Sequence, residues 1–239
     1  MPADFANIAS YYDLMYVDTE SYAEETEQIR ALAQKYGVPE GGRLLDIACG
    51  TGGHSLFLSR YYNVSGLDLS EAMIEIARPK VPGAEFYVMD MLDFHFDQPF
   101  DIAVNLYGSI GFAPDYAHLV KGLRQAYENL KSGALFILTP WSTRETFREG
   151  LLATSGQKGD FSFCRMETIK KAAADKVGVD MYHLVAHGMD VKHYHYEQQV
   201  TLWSEAEYRR AIAEAGFALK ERLGETEFRM GAFICLKEG

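Results

Sequence analysis

As far as Pro140, short apolar runs bounded by glycine-rich or polar turns alternate with stretches whose apolar positions recur at the spacing of one helix face. Ser21 to Tyr36, SYAEETEQIRALAQKY, has the helical spacing, with acids in its first turn where the helix dipole favours them. LLDIACGTGG then reads as a short buried strand entering a glycine-rich turn, HSLFLSRYY as a helix and NVSGLDLS as a second strand. Ser70 stands at the cap position of a helix EAMIEIARPK, and AEFYVMD and FDIAVNLYGS supply strands three and four. A helix YAHLVKGLRQAYENL, a turn at Lys131-Ser132-Gly133 and a fifth strand ALFILTPW follow. Strands alternating with helices at this spacing predict an α/β fold with a doubly wound, parallel sheet.

After Pro140 the period changes to two. FSFCRMETI, VDMYHLVAH and VKHYHYEQQVTLW read as three strands of a small antiparallel insertion placed after strand five, at about residues 142–202. Ser204 with Glu207 predicts a boxed helix start, Gly216 its end, and FALKERLGE with FRMGAFICLKE a closing hairpin that restores the sheet. The expected organisation is a single domain over residues 1–239, with an N-terminal helical cap over 1–40 and the antiparallel insertion.

Length and composition agree with that picture, since 239 residues with 48% hydrophobic side chains suffice for one substantial core. Cys49, Cys164 and Cys235 lie far apart without CxxC spacing, so neither a disulfide framework nor a zinc site is expected. No apolar run approaches the roughly 20 residues of a membrane helix, and the N-terminus has no signal-peptide pattern. The chain is expected to be cytoplasmic, with no membrane partner. With 34 acids against 23 bases the formal charge is -11, which argues against nucleic acid as a partner.

Candidate chemistry centres on Gly50, Gly52 and Gly53. In doubly wound sheets the first strand-to-helix turn cradles a ligand, and glycines there let the backbone approach it closely. A dinucleotide turn needs a third glycine where this chain has Ser55. An adenosyl-sulfonium ligand has no pyrophosphate and imposes no such pattern. Asp68, at the end of the second strand, suits a ribose diol in either case, so it does not decide between them.

DIACGTGG, GLDLS, VMDMLDF and FDIAVNLYGS resemble, in order and spacing, the motifs of class I S-adenosylmethionine-dependent methyltransferases. That resemblance implies a Rossmann-like seven-stranded, mostly parallel sheet and S-adenosyl-L-methionine as methyl donor. It implies Ala48, Gly50 and Gly52 beside the methionine portion, Asp68 on the ribose and Asp90 with Met91 at the adenine. Asp46 would shape the loop, and Leu69, Met73 and Leu106 join the implied donor contacts. YYDLMY, NLYGSIGF, PWSTRETFREG and VTLWSEAEYRRAIAEAGF are similar to segments of the deoxyamino-sugar N,N-dimethyltransferases of macrolide biosynthesis. Tyr16 and Trp141 match aromatic positions near the donor or acceptor in that family, and Tyr107 borders the site at the end of strand four.

The implied reaction is methylation of an amine on a small molecule, an amino sugar or another amine metabolite. The alternatives are an O-methyltransferase of a hydroxylated metabolite and a non-catalytic donor-binding protein. Tyr16, Tyr107 and Trp141 are expected to position the acceptor, and no residue identifies itself as a base. Phe112 and Phe5 stand where relatives carry polar residues, which predicts a flatter, less polar acceptor than a nucleotide-linked sugar. His193 and His195 share one strand face, yet no acid of matching spacing completes a metal set, and no metal is expected. His54 reads as local packing or a cap. A second copy of the chain is a candidate partner.

Overall fold

The computed structural model describes residues 8–16 and 19–239. Strands β1 (Arg43–Ile47), β2 (Asn63–Asp68), β3 (Glu85–Val88), β4 (Phe100–Asn105) and β5 (Leu130–Leu138) alternate with helices α3 (Gly53–Leu58), α4 (Glu71–Lys80) and α5 (Tyr116–Glu128). Helices α1 (Ala9–Tyr16) and α2 (Thr19–Lys35) precede them. A second group of strands follows, β6 (Gly150–Lys158), β7 (Phe161–Lys171), β8 (Lys176–His187) and β9 (Asp190–Thr201). Helix α6 (Glu205–Ala215) and strands β10 (Ala218–Leu223) and β11 (Ala232–Leu236) close the chain.

The main sheet has seven strands in the order β10-β11-β5-β4-β1-β2-β3. β1 to β5 pair in parallel, while β11 runs antiparallel to β5 and β10 antiparallel to β11. Such strands read as continuous apolar runs because both faces are covered. Leu45 and Ile47 join Leu119, Leu123, Tyr208 and Ile212 in the core beneath α5 and α6. Leu44, pointing the other way, joins Ile29, Ala33 and Leu58 beneath α2 and α3. Strand order reverses between β1 and β4, so their carboxyl ends open a crevice at the usual ligand position of such sheets.

Local chemistry matches the expected elements in most places. Ser204 and Glu207 form the full capping box of α6, and Gly216 ends that helix with φ 106°. Ser70 occupies the cap position of α4, but its side chain makes no capping bond. The turn expected at Lys131-Ser132-Gly133 is instead a bulge inside β5, where Phe100 pairs with Leu130 but Ile102 pairs with Leu135. Helix α3 stops at Leu58, shorter than HSLFLSRYY suggests.

The second sheet is antiparallel in the order β6-β7-β8-β9, one strand more than the sequence pattern indicates. β6 is almost wholly exposed and lacks the alternation that betrays its neighbours. The face of this sheet turned toward the main body buries Val177, Val179, Met181, Val200 and Leu202, against which Phe112 and Trp141 pack. Among the described residues no helix is long and apolar enough to cross a membrane.

A tight approach joins the segments that follow β4 and β5. Gly108 has φ 72°, and a Cβ built there would lie 2.2 Å from the Trp141 Cβ. Gly133, with φ 80°, has nothing within 4 Å of such a Cβ among the described residues. Gly108→Ala combines a left-handed penalty with overpacking and should cost about 2–5 kcal/mol, whereas Gly133→Ala should cost only about 1–2 kcal/mol. Chemical denaturation of the two variants checks this, and equal losses would contradict the close approach.

Candidate active site

The chain leaves β1 through a turn that repeatedly enters the left-handed region, at Ala48 (φ 60°), Gly50 (φ 55°) and Gly52 (φ 75°). For Ala48 that conformation costs about 1–2 kcal/mol, so the surrounding contacts must impose it. The two glycines serve different ends. Among the described residues a Cβ on Gly50 would meet nothing within 4 Å, so none of them blocks the backbone on that side. A Cβ on Gly52 would lie 3.1 Å from that of Ala77, so Gly52 is needed to seat the turn on α4.

Asp68 fastens the turn to β2. Its Oδ2 accepts from the Gly50 amide at 2.9 Å and its Oδ1 from the Ser70 amide at 2.9 Å. Burial nevertheless raises the Asp68 pKa above the usual aspartate value, outweighing these amide bonds. Asp46 is 3% exposed, accepts from the Ser55 hydroxyl at 2.6 Å, and is raised by burial as well. It braces α3 from below the turn. Leu69 lies 55% exposed on the rim, and Asp90 folds its own loop by accepting from the Leu92 amide at 2.8 Å. Met91 is half-buried against the core, while Met73 and Leu106 are buried within it.

Helix α1 reaches over this turn. Asp13 accepts from the Thr51 hydroxyl and pairs with Lys80 of α4. Tyr12 and Tyr16, one helical turn apart, stack at 4.8 Å between centroids. Burial, with Asp68 and Asp13 nearby, pushes the Tyr12 phenol up to about 12. The Tyr16 hydroxyl meets the second sheet, donating to Glu167 Oε1 at 2.7 Å and lying 2.9 Å from His183 Nε2. The Arg165 guanidinium sits 4.3 Å from the centre of the Tyr16 ring.

At the end of β4, Tyr107 (φ 55°) and Gly108 turn left-handed as well. The Tyr107 hydroxyl donates to Glu25 of α2 at 3.3 Å, and its ring packs by Tyr22 and His54. His54 Nε2 meets Glu25 Oε2 at 2.6 Å, so it is a buried ionisable pair rather than a cap. Tyr16 and Trp141 therefore both meet the second sheet, Tyr16 at Glu167 and His183 and Trp141 at the cluster of Met181 and Val200, whereas Tyr107 meets α2. Phe112 packs into that same apolar cluster, which accounts for its lack of a polar group, and Phe5 lies outside the described residues.

The insertion supplies the polar side chains that sequence spacing did not reveal. Glu167 and His183 alternate with apolar residues on the inner face of the second sheet and come together only through strand pairing. His193 and His195 lie on the opposite, outer face, where His195 pairs with Asp180 at 2.6 Å and Glu197 stands close by. Those acids belong to the neighbouring strand and to the position two residues on, and the whole group is exposed.

Open space before Gly50, an ionisable carboxylate at the second strand end and an exposed apolar rim residue fit an adenosyl-sulfonium ligand. The sequence matches the description "Methyltransferase domain" over residues 44–133. It is 30% identical over 229 residues to the dTDP-3-amino-3,4,6-trideoxy-alpha-D-glucopyranose N,N-dimethyltransferase of Streptomyces venezuelae, covering 95% of this chain and 96% of that one. The dTDP-3-amino-3,6-dideoxy-alpha-D-glucopyranose N,N-dimethyltransferase of Streptomyces fradiae is 28% identical over 91% of this chain and 87% of its own length. Among solved structures, DesVI of Streptomyces venezuelae superposes with a TM-score of 0.88 at 28% identity, over 95% of this chain and 97% of that one. The sugar N-methyltransferase KedS8 from a Streptoalloteichus species does so at 0.85 and 28%, over 95% and 93%. The chain belongs to the class I S-adenosylmethionine-dependent methyltransferases, in the family that contains the deoxyamino-sugar N,N-dimethyltransferases.

Proposed function

We propose that this enzyme methylates the amine of a small, polar acceptor of the nucleotide-linked amino-sugar class, as one catalytic unit in which the second sheet walls the acceptor side. The observation that carries the proposal is the path of α1, which touches the glycine turn through Asp13 and the polar inner face of the second sheet through Tyr16. Relatives named as amino-sugar N,N-dimethyltransferases align with nearly the whole chain, including that second sheet.

In this reading Asp68 accepts from the ribose hydroxyls, Gly50 allows the backbone to approach, and Leu69, Asp90 and Met91 border the adenine. Ala48 and Gly52 shape the turn, while Asp46, Met73 and Leu106 support it from the interior. S-adenosylmethionine, when bound, supplies an electrophilic methyl whose leaving group is a neutral thioether, so no acid is required. The protein's task is alignment and exclusion of water. Tyr16 and Trp141 flank the acceptor, and Tyr107 holds the end of β4 against α2. The flatter acceptor expected from Phe112 and Phe5 is set aside in this reading, because Phe112 packs among apolar neighbours while Glu167, His183 and Arg165 supply polarity on the same sheet, and Phe5 lies outside the described residues. The cytoplasm is the proposed workplace, which suits three free cysteines, one of them exposed.

The test is donor consumption over a panel of acceptors: dTDP-3-amino-3,4,6-trideoxyglucose, simple aromatic amines and hydroxylated analogues of both. The amino sugar should give the highest kcat/KM. Preference for a hydroxyl, or no turnover of any amine, would contradict the proposal.

A homodimer is proposed through the outer face of the second sheet, where Leu151 (65% exposed), Met166 (49%), Leu184 (46%) and Val191 (62%) stand exposed beside the His195–Asp180 pair. Sedimentation of Leu184→Lys should show monomer where the parent shows dimer. A monomeric parent would contradict this assignment.

A further inference from the structure

Tyr16, Glu167 and His183 meet at one oxygen, and the geometry decides where their protons lie. Glu167 Oε1 is 2.7 Å and His183 Nε2 is 2.9 Å from the Tyr16 hydroxyl oxygen. A single proton cannot satisfy both contacts, since whichever partner it missed would face that oxygen lone pair to lone pair. Two protons do, in the chain His183 Nε2–H to Tyr16 Oη and Tyr16 O–H to Glu167. Among the described residues His183 Nδ1 is buried with no partner, so none of them draws the ring proton to that side. Arg165, 3.5 Å from Glu167, further holds the carboxylate in its charged, accepting form.

Among the described residues this arrangement commits the Tyr16 proton to Glu167, the Met181 sulfur at 3.8 Å being a weaker acceptor, and leaves one oxygen lone pair unused. Glu167 and His183 are 8% and 0% exposed, whereas Tyr16 keeps part of its surface accessible. Tyr12 stacks on it from one turn back along α1, and Asp13 in the same turn holds the glycine loop. Tyr16 thus stands within one helical turn of the donor cradle, about 5.4 Å along the axis.

We propose that Glu167 and His183 are positioning residues that fix the Tyr16 hydroxyl as a hydrogen-bond acceptor, so that it orients an amine N–H of the acceptor. The inference rests on the amine reading above and deepens it. An amine can donate one N–H to Tyr16 and still offer its own lone pair to the incoming methyl. The nitrogen then becomes an ammonium, and the carboxylate behind Tyr16 favours that positive charge. A hydroxyl acceptor would instead need a proton taken away. Burial raises the Glu167 pKa, but the nearby His183 ring, the bond from Tyr16 and the charge of Arg165 outweigh it and hold the group below its usual value. Burial and Glu167 push the Tyr16 phenol well up. The triad is a poor base and a good orienting acceptor, which selects nitrogen over oxygen.

The first measurement is the tautomer. In protein carrying ¹⁵N-labelled histidine, NMR should show His183 protonated at Nε2, and protonation at Nδ1 alone overturns the assignment. The second is a mutant cycle on turnover of dTDP-3-amino-3,4,6-trideoxyglucose, or of whichever amine of the panel the parent methylates fastest. Glu167→Gln should lower kcat about 10-fold, the scale of losing one charge-assisted contact in a preorganised site. KM and calorimetric donor affinity should change less than about two-fold, within the spread ordinary for a site not in contact. Glu167→Gln added to Tyr16→Phe should cost no more than Tyr16→Phe alone. Unchanged kcat in Glu167→Gln, additive losses, or a parallel fall in donor affinity and thermal stability each overturn the inference while leaving amine methylation intact. A parent enzyme that methylates only hydroxyls, or no amine of the panel, overturns both.

Discussion

The Asp68 carboxylate, shared between the amides of Gly50 and Ser70, is the contact on which the site's geometry depends. It ties the left-handed turn after β1 to the end of β2, across the pair of strands where a doubly wound sheet presents its ligand. Each such charge-assisted bond contributes about 1.5–3 kcal/mol, enough to offset the strain of Ala48 at φ 60°. With the turn fixed, Thr51 is presented to Asp13, α1 is held over the crevice, and Tyr16 is carried to the second sheet. The glycine turn and the second sheet are thereby linked through a single short helix.

What the sequence discloses follows from how local the cause is. The parallel strands announce themselves as continuous apolar runs because both their faces are covered, and the Ser204–Glu207 box is complete within four residues. β6 escapes notice because GLLATSGQK is an exposed edge whose strand character comes only from pairing with β7. Lys131-Ser132-Gly133 has turn chemistry, yet the neighbouring strand keeps it in the sheet as a bulge. Ser70 has the right residue type for a cap, yet its side chain makes no capping bond, and the contact that holds it is its backbone amide donating to Asp68.

The site divides in the same way. Gly50 and Asp68 are legible because their motif spans one strand-turn-helix unit. Gly52 is legible as a required glycine but not in its reason, which lies with Ala77 on α4. The Glu25–His54 pair and the Tyr16–Glu167–His183 triad join residues 29 and more than 150 apart, so no spacing rule finds them. One sign was present in each case: a charged or titratable residue at an apolar-phase position, Glu25 on the buried side of α2 and His183 among the inward residues of β8. Phe112 illustrates the converse, since a missing polar group at one position says little when another element supplies polarity from across the fold.

If Asp68 both organises the turn and receives the ribose, donor binding must depend on its carboxylate more than on any other side chain of the crevice. Calorimetric titration of S-adenosylmethionine into the parent enzyme and into Asp68→Ala measures this without reference to any acceptor. The account predicts a folded variant that binds the donor about 10- to 100-fold more weakly, the equivalent of one or two charge-assisted hydrogen bonds. A folded Asp68→Ala protein with unchanged donor affinity would contradict it.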